Sequence, residues 1–301
     1  MSRTHAVVIV ATVLTALLTT APGARTVREP ITRTVYVTVL DNDGQPATDL
    51  TPKDFRLREG NRDREITSVE PATDRMRIAV MVEELLTPTG GVRQGMGEFM
   101  QAMVTRAEIA LIVVGQSNRE AVPYTTDLSA LIAGINGLPL NQRQQNNHVP
   151  EGVFEVSKTF VAERPARPVM VVIALDSLQA SSAEPQHVLN TLRDSNAQLH
   201  VVSIETTQSA VDVSGAGSMM EASGRAQVLG DGPRQSGGRQ WPVNALTAVP
   251  KAMLSIANDL SNQYKVTYVL PDGVEPSDRL NISLNRRGHT LRAPTRIWDG
   301  D

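Results

Sequence analysis

The chain contains no cysteine. Disulfides, thiolate metal sites and cysteine nucleophiles are therefore excluded, and the fold must be held by its core alone. Aromatic residues make up only 3%, too few to build the exposed stacking platforms on which single-stranded nucleic acid is bound. Neither sign of charge dominates. Against 32 Asp and Glu stand 29 Lys and Arg, a formal charge of −3, which argues against nucleic acid or another polyanion as partner. No Gly-x-Gly-x-x-Gly follows an early strand, no phosphate loop is present, and no Gly-x-Ser-x-Gly elbow occurs. Nucleotide binding and serine hydrolysis thus lack their motifs.

What is present begins with a targeting signature. Arg3 and His5 precede the apolar run Ala6 to Leu18, and the small residues Ala21, Gly23 and Ala24 follow. Residues 1–24 read as a secretory signal peptide cleaved near Ala24, the run being shorter than the roughly twenty residues a membrane-spanning helix needs. An uncleaved anchor is the alternative. No later stretch is long and apolar enough to span a bilayer, so the mature chain is expected outside the cytoplasm, secreted or in the periplasm and cell envelope.

Residues 30–73 alternate short β-branched runs with turn signals, from Thr34 to Leu40 into Asp41-Asn42-Asp43-Gly44, and predict a small β module. The period then changes. Ile78 to Val82, Ile109 to Val114, Val169 to Leu175 and Leu199 to Ile204 are continuous apolar runs, as strands covered on both faces require. Between them, Val92 to Val104, Leu128 to Ile135, Pro150 to Ala162 and Pro185 to Ser195 carry helical spacing. Residues 74–262 therefore predict an α/β fold with a doubly wound, mainly parallel sheet. Residues 206–240 are rich in Gly and Ser and are expected to be a flexible insertion. A helix is expected over Ala245 to Leu260, with Pro250 marking its true start. Three extended runs within 263–298 are expected to pair with the N-terminal strands in a small β-sandwich-like module.

Three blocks carry a resemblance. Val39 to Pro46, with Asp49 to Phe55 and Glu59-Gly60, comes first; Tyr124-Thr125-Thr126-Asp127 before a helix is second; Ser236 to Arg239, then Ile256 to Tyr268, is third. In order and spacing they resemble the bacterial von Willebrand factor A-related family of exported proteins, over nearly the whole mature chain. The resemblance implies a Rossmann-like A-type domain. It also implies a place at the carboxyl edge of the sheet where a metal-ion-dependent adhesion site can form from Asp-x-Ser-x-Ser, a middle-loop Thr and a later Asp. Hydroxyl and carboxylate oxygens there hold a hard cation and leave a position for a partner's carboxylate.

In this sequence that signature is degenerate. Glu83 stands for the Asp, Leu85 for the first Ser, and only Thr87 keeps a hydroxyl. The middle loop reads Gln144-Gln145-Asn146-Asn147-His148, whereas Asp176-Ser177 after the third apolar run matches. Asp212 to Ser218 looks superficially similar, but no buried strand leads into it. The reading is a non-catalytic, exported protein-binding or scaffolding protein without a cofactor. Its partner-binding face comprises Glu83, Glu84, Asn147, His148, Asp176 and Ser177. The alternative is an adhesion module binding Mg²⁺, Ca²⁺ or Mn²⁺ through Glu83, Thr87 and Asp176. A secreted hydrolase using His148 and the acids of that edge is a third reading. Solvated acids at strand ends are the ordinary explanation for such residues.

Overall fold

A computed structural model describes residues 31–87, 89–139, 148–176, 181–205 and 216–298, with the side chains of 216–223 outside the description. In chain order the strands β1 (Ile31–Asp41), β2 (Phe55–Glu59) and β3 (Arg62–Pro71) come first. They are followed by β4 (Met76–Glu83), α1 (Gly90–Met103), β5 (Ala107–Val114), β6 (Asn118–Thr125), α2 (Leu128–Asn136), α3 (Val149–Glu163) and β7 (Pro168–Asp176). Then come α4 (Pro185–Asp194), β8 (Gln198–Glu205), α5 (Ala216–Ser236), β9 (Gln240–Val243), α6 (Val249–Ser261), β10 (Tyr264–Leu270), β11 (Leu280–Leu284) and β12 (His289–Arg292).

The apolar runs of β4, β5, β7 and β8 lie side by side in a sheet of order β6-β5-β4-β7-β8-β9. All neighbours are parallel except β5 and β6. Side-chain alternation sends Ile78, Val80 and Val82 to one face, against Val92, Met96 and Phe99 of α1 and Met253 and Ile256 of α6. Ala79 and Met81 go to the other, against Val153 and Phe160 of α3 and Val188 and Leu192 of α4. The doubly wound architecture expected from the pattern is the one the chain adopts. Local chemistry fits the elements: the Asp127 carboxylate caps α2, accepting from Ser129 N at 2.8 Å and Ala130 N at 3.3 Å, and Pro250 sits in the first turn of α6, where its missing N–H costs nothing.

The terminal strands form a second sheet, order β11-β2-β3-β10-β1-β12. It is a single antiparallel sheet rather than two facing ones. Its edge strands β11 and β12 touch, so it curls around a core of Val35, Val37, Val39, Leu57, Val266 and Tyr268. A buried polar network joins the two sheets. The Arg167 guanidinium donates to Leu260 O and Gln263 Oε1, both at 2.6 Å. Gln263 Nε2 in turn donates to Thr38 Oγ1 at 3.1 Å and Gln198 Oε1 at 2.9 Å. Burial pushes the Arg167 pKa down to about 10, which leaves it charged at neutral pH.

Two further expectations are corrected. Residues 216–240, expected within the flexible insertion 206–240, instead form the 21-residue helix α5 and lead into the edge strand β9. Gly and Ser lower helix propensity, but here the glycines permit close packing: a β-carbon at Gly232 would fall 2.8 Å from the Leu199 side chain. The second is β6, which the sequence reading passed over because its polar, Pro-containing stretch lies on the sheet edge, where only one side needs pairing. The signal-peptide residues 1–24, and 206–215 of the insertion, lie outside the described residues.

Candidate functional site at the carboxyl edge of the parallel sheet

Strand order reverses between β4 and β7. From β4 the chain winds outward through β5 and β6, and from β7 through β8 and β9 in the opposite direction. The two crossovers diverge beyond the carboxyl ends of these strands, the position at which open α/β sheets bind ligands. Glu83 ends β4 and Asp176 ends β7, so topology brings to one place two residues 93 positions apart in sequence.

Their environments differ. Glu83 is buried, 1% exposed, and its Oε2 accepts from Leu175 N at 2.7 Å. The same oxygen accepts from Arg225 Nη2 of α5 at 3.1 Å, and that nitrogen also donates to Leu175 O at 2.9 Å. The Arg225 side chain is 2% exposed and that of Glu83 is 0% exposed. A guanidinium therefore stands against the carboxylate and a strand-end carbonyl, the kinds of oxygen that hold a hard cation. Asp176 is exposed.

Thr87 is fully buried, with its hydroxyl 2.8 Å from Glu84 O and 3.1 Å from Pro139 O. Arg93 of α1 holds the same loops together: Nε donates to Thr87 O at 2.7 Å, Nη1 to Ile135 O at 2.8 Å and Nη2 to Leu138 O at 2.7 Å. The Thr87 and Leu138 carbonyls gain a partner in this way, and Ile135 O adds the guanidinium to the backbone N–H of Leu138 that it already accepts at 3.3 Å.

The half-buried Glu84 lies against Gly115 at the end of β5. His148, at the start of α3, donates its backbone N–H to Gly115 O at 3.1 Å, so both belong to this edge. The His148 Nδ1 lies 3.5 Å from Glu151 Oε1. Burial acts to raise the Glu151 pKa, but its own backbone and the N–H and hydroxyl groups of Ser182, with the N–H of Ala183, hold it below the usual value. Glu151 thus stays ionised and fastens the segment before α4 to α3. Asn147 and Ser177, the other members of the expected face, lie outside the described residues. No cluster of three or more His, Asp or Glu arranged to hold a metal occurs among the described residues.

Arg225 and Arg93 were missed in the sequence. Arg225 lies in the stretch read as structureless, and its one signal is the apolar pair Val228-Leu229 three and four residues on, both buried, which mark the inward face of a helix. Arg93 falls inside a recognised amphipathic helix, where an Arg is ordinarily a surface residue.

No protein-family model matches the chain, and no curated protein matches it. Solved structures do. Proximal thread matrix protein 1 of the mussel byssus matches at TM-score 0.46 and 11% identity, over 64% of this chain and 50% of that one. The chain thus spans about half that protein's length. The vWF domain of the type V pili tip protein Mfa5 from Porphyromonas gingivalis matches at 0.44 and 8%, over 63% and 96%. A von Willebrand factor type A structure from Catenulispora acidiphila matches at 0.44 and 9%, over 91% and 76%. The chain's own architecture is a mainly parallel sheet flanked by helices, accompanied by a second, antiparallel sheet. Among the described residues no helix is long and apolar enough to cross a membrane.

Proposed function

We propose that this chain is an exported, non-catalytic binding or scaffolding protein that meets a protein partner at the carboxyl edge of its parallel sheet, without a metal ion. The observation that carries the reading is the buried pair of Arg225 and Glu83. A fixed positive charge already neutralises the carboxylate that a cation would need. Admitting Mg²⁺ or Ca²⁺ means expelling that guanidinium from a sealed position, which leaves a desolvated charge without its partner. The polar rim that remains, Glu84, His148 and the exposed Asp176, flanked in sequence by Asn147 and Ser177, is the face offered to the partner. Cation binding through Glu83, Thr87 and Asp176 is the second reading, favoured by Asp176 lying beside Glu83 at the switch point.

Thermal unfolding of the mature chain in EDTA, Mg²⁺, Ca²⁺ and Mn²⁺ separates the two. A cation at a hundred times its dissociation constant adds about 2.7 kcal/mol, a shift of several degrees. The expected result is a flat response, together with capture of envelope proteins that persists in EDTA and is lost in Asp176→Arg. A cation-dependent rise that disappears in Asp176→Ala overturns the metal-free reading.

A further inference from the structure

At the opposite, amino edge of the parallel sheet lies a cavity of about 490 Å³ between the two sheets. It is walled by β1, by the starts of β7 and β8, by the end of α4, and by the segment closing on Trp298. Its volume is within the range of small-molecule pockets, which favour junctions between structural units. Val35, Leu189, Leu192 and Ile297 give it an apolar body. Its charged lining is of one sign: Arg33, Arg164, Arg193 and Arg296 face it, and no described residue of the wall is Asp or Glu.

The carboxylates that answer these arginines stand behind the wall. Arg33 and Arg64 share the single carboxylate of Glu59, with side chains 11%, 6% and 0% exposed respectively, a buried cluster of net charge +1. Asp278 serves both Arg193 and Arg296. Arg164 stacks over the Trp298 ring at 4.0 Å and donates to Asp194 O at 2.9 Å, and no carboxylate partner for it occurs among the described residues.

Tyr268 supplies the independent sign of a ligand. It lines the cavity, is 0% exposed, and no acceptor for its hydroxyl proton occurs among the described residues, since the Arg33 guanidinium beside it can only donate to the hydroxyl oxygen. Burial raises its pKa while the neighbouring Arg33 acts to lower it, and burial prevails. The phenol is therefore a protonated donor, and a guanidinium cannot accept its proton. An unpaired buried donor costs free energy, and it persists here beside an excess positive charge.

We propose that this cavity is a binding site for an amphipathic monocarboxylate, a molecule with an aliphatic body and one carboxylate. The carboxylate accepts from Tyr268 Oη and faces Arg33, and its single negative charge balances the +1 of the buried cluster. The aliphatic part lies along Val35, Leu189 and Leu192. The site is separate from the partner face at the other edge and does not rest on that reading.

Calorimetric titration of the mature chain with decanoate, decan-1-ol and acetate tests it. Decanoate is expected to bind saturably, one per chain, and at least about tenfold more tightly than either the alcohol or acetate, a difference of about 1.4 kcal/mol. Tyr268→Phe removes the oxygen that faces Arg33 but no hydrogen bond donated by the phenol, so it should lower the unfolding temperature by no more than about 2–4 °C while weakening decanoate about tenfold. Arg164→Gln, at an exposed position, should weaken it severalfold. Absence of saturable decanoate binding below about 1 mM, equal binding of decan-1-ol or acetate, or unchanged decanoate affinity in a folded Tyr268→Phe protein each overturns the proposal.

Discussion

Replacing Arg225 by Met tests the sheet-edge reading most directly, because it keeps much of the side-chain volume and deletes only the charged head. Glu83 is then left at 0% side-chain exposure with Leu175 N still donating to it but without its guanidinium. Removing one partner of a buried pair costs about 3–5 kcal/mol, since the cost is dominated by the uncompensated charge. At roughly 2–4 °C per kcal/mol for a chain of this size class, the unfolding temperature should fall by roughly 6–20 °C. The double variant Glu83→Gln/Arg225→Met removes both charges together and should return to within about 1–2 kcal/mol of the parent, because neutral replacement of a buried pair is often close to free. Urea unfolding of the parent, both singles and the double gives the coupling energy directly. A single-variant loss below about 1 kcal/mol, or a coupling below about 0.5 kcal/mol, refutes the view that this pair organises the carboxyl edge.

Two further perturbations follow from the buried groups. His200 on β8 is buried with neither ring nitrogen hydrogen-bonded among the described residues, and burial, helped by the nearby Arg292, pushes its pKa down to about 3. Its folded pKa lies below the unfolded value of about 6.5, so the unfolded chain binds the extra proton between these limits. The contribution is then fully favourable above about pH 6.5 and is lost as pH falls toward 3, by at most about 5 kcal/mol. Urea midpoints at pH 4 and pH 7 should converge for His200→Leu relative to the parent, and identical pH dependence of the two proteins would refute the assignment. At Gly238 a β-carbon would fall 2.0 Å from the Leu199 carbonyl oxygen, so Gly238→Ala should lose at least about 1–3 kcal/mol by overpacking, with faster amide exchange along β9. An unchanged midpoint would show that β9 shifts without cost.

Much of the fold was legible because burial on both faces leaves a mark in one dimension. A central parallel strand must be apolar at every position, and Ile78 to Val82 and Val169 to Leu175 are, so sheet and helix order followed from runs and spacings. The carboxylates Glu83 and Asp176 were legible too, as residues ending such runs, and topology alone placed them at one edge. Edge strand β6 was not legible, since a strand covered on one side tolerates polar residues and Pro123. Helix α5 was not legible either: Gly224, Gly230, Gly232 and Pro233 oppose a helix locally, and packing against α4 and β8 decides its state.

The sequence by itself determined the alternation of β and α, the absence of any thiol chemistry, and the erosion of the cation signature at Leu85. Tertiary structure alone decided which cation faces Glu83. Its partner Arg225 is 142 residues away, and no spacing rule selects one arginine among many, because the choice depends on which guanidinium is desolvated beside the carboxylate when α5 packs down. The cavity at the opposite edge is of the same kind. Arg33 on β1, Arg164 just after α3 and Tyr268 on β10 share no motif, and only the docking of the curled sheet on the parallel one sets them around a common space. Local sequence records the side of an element that is buried; it does not record what that side is buried against.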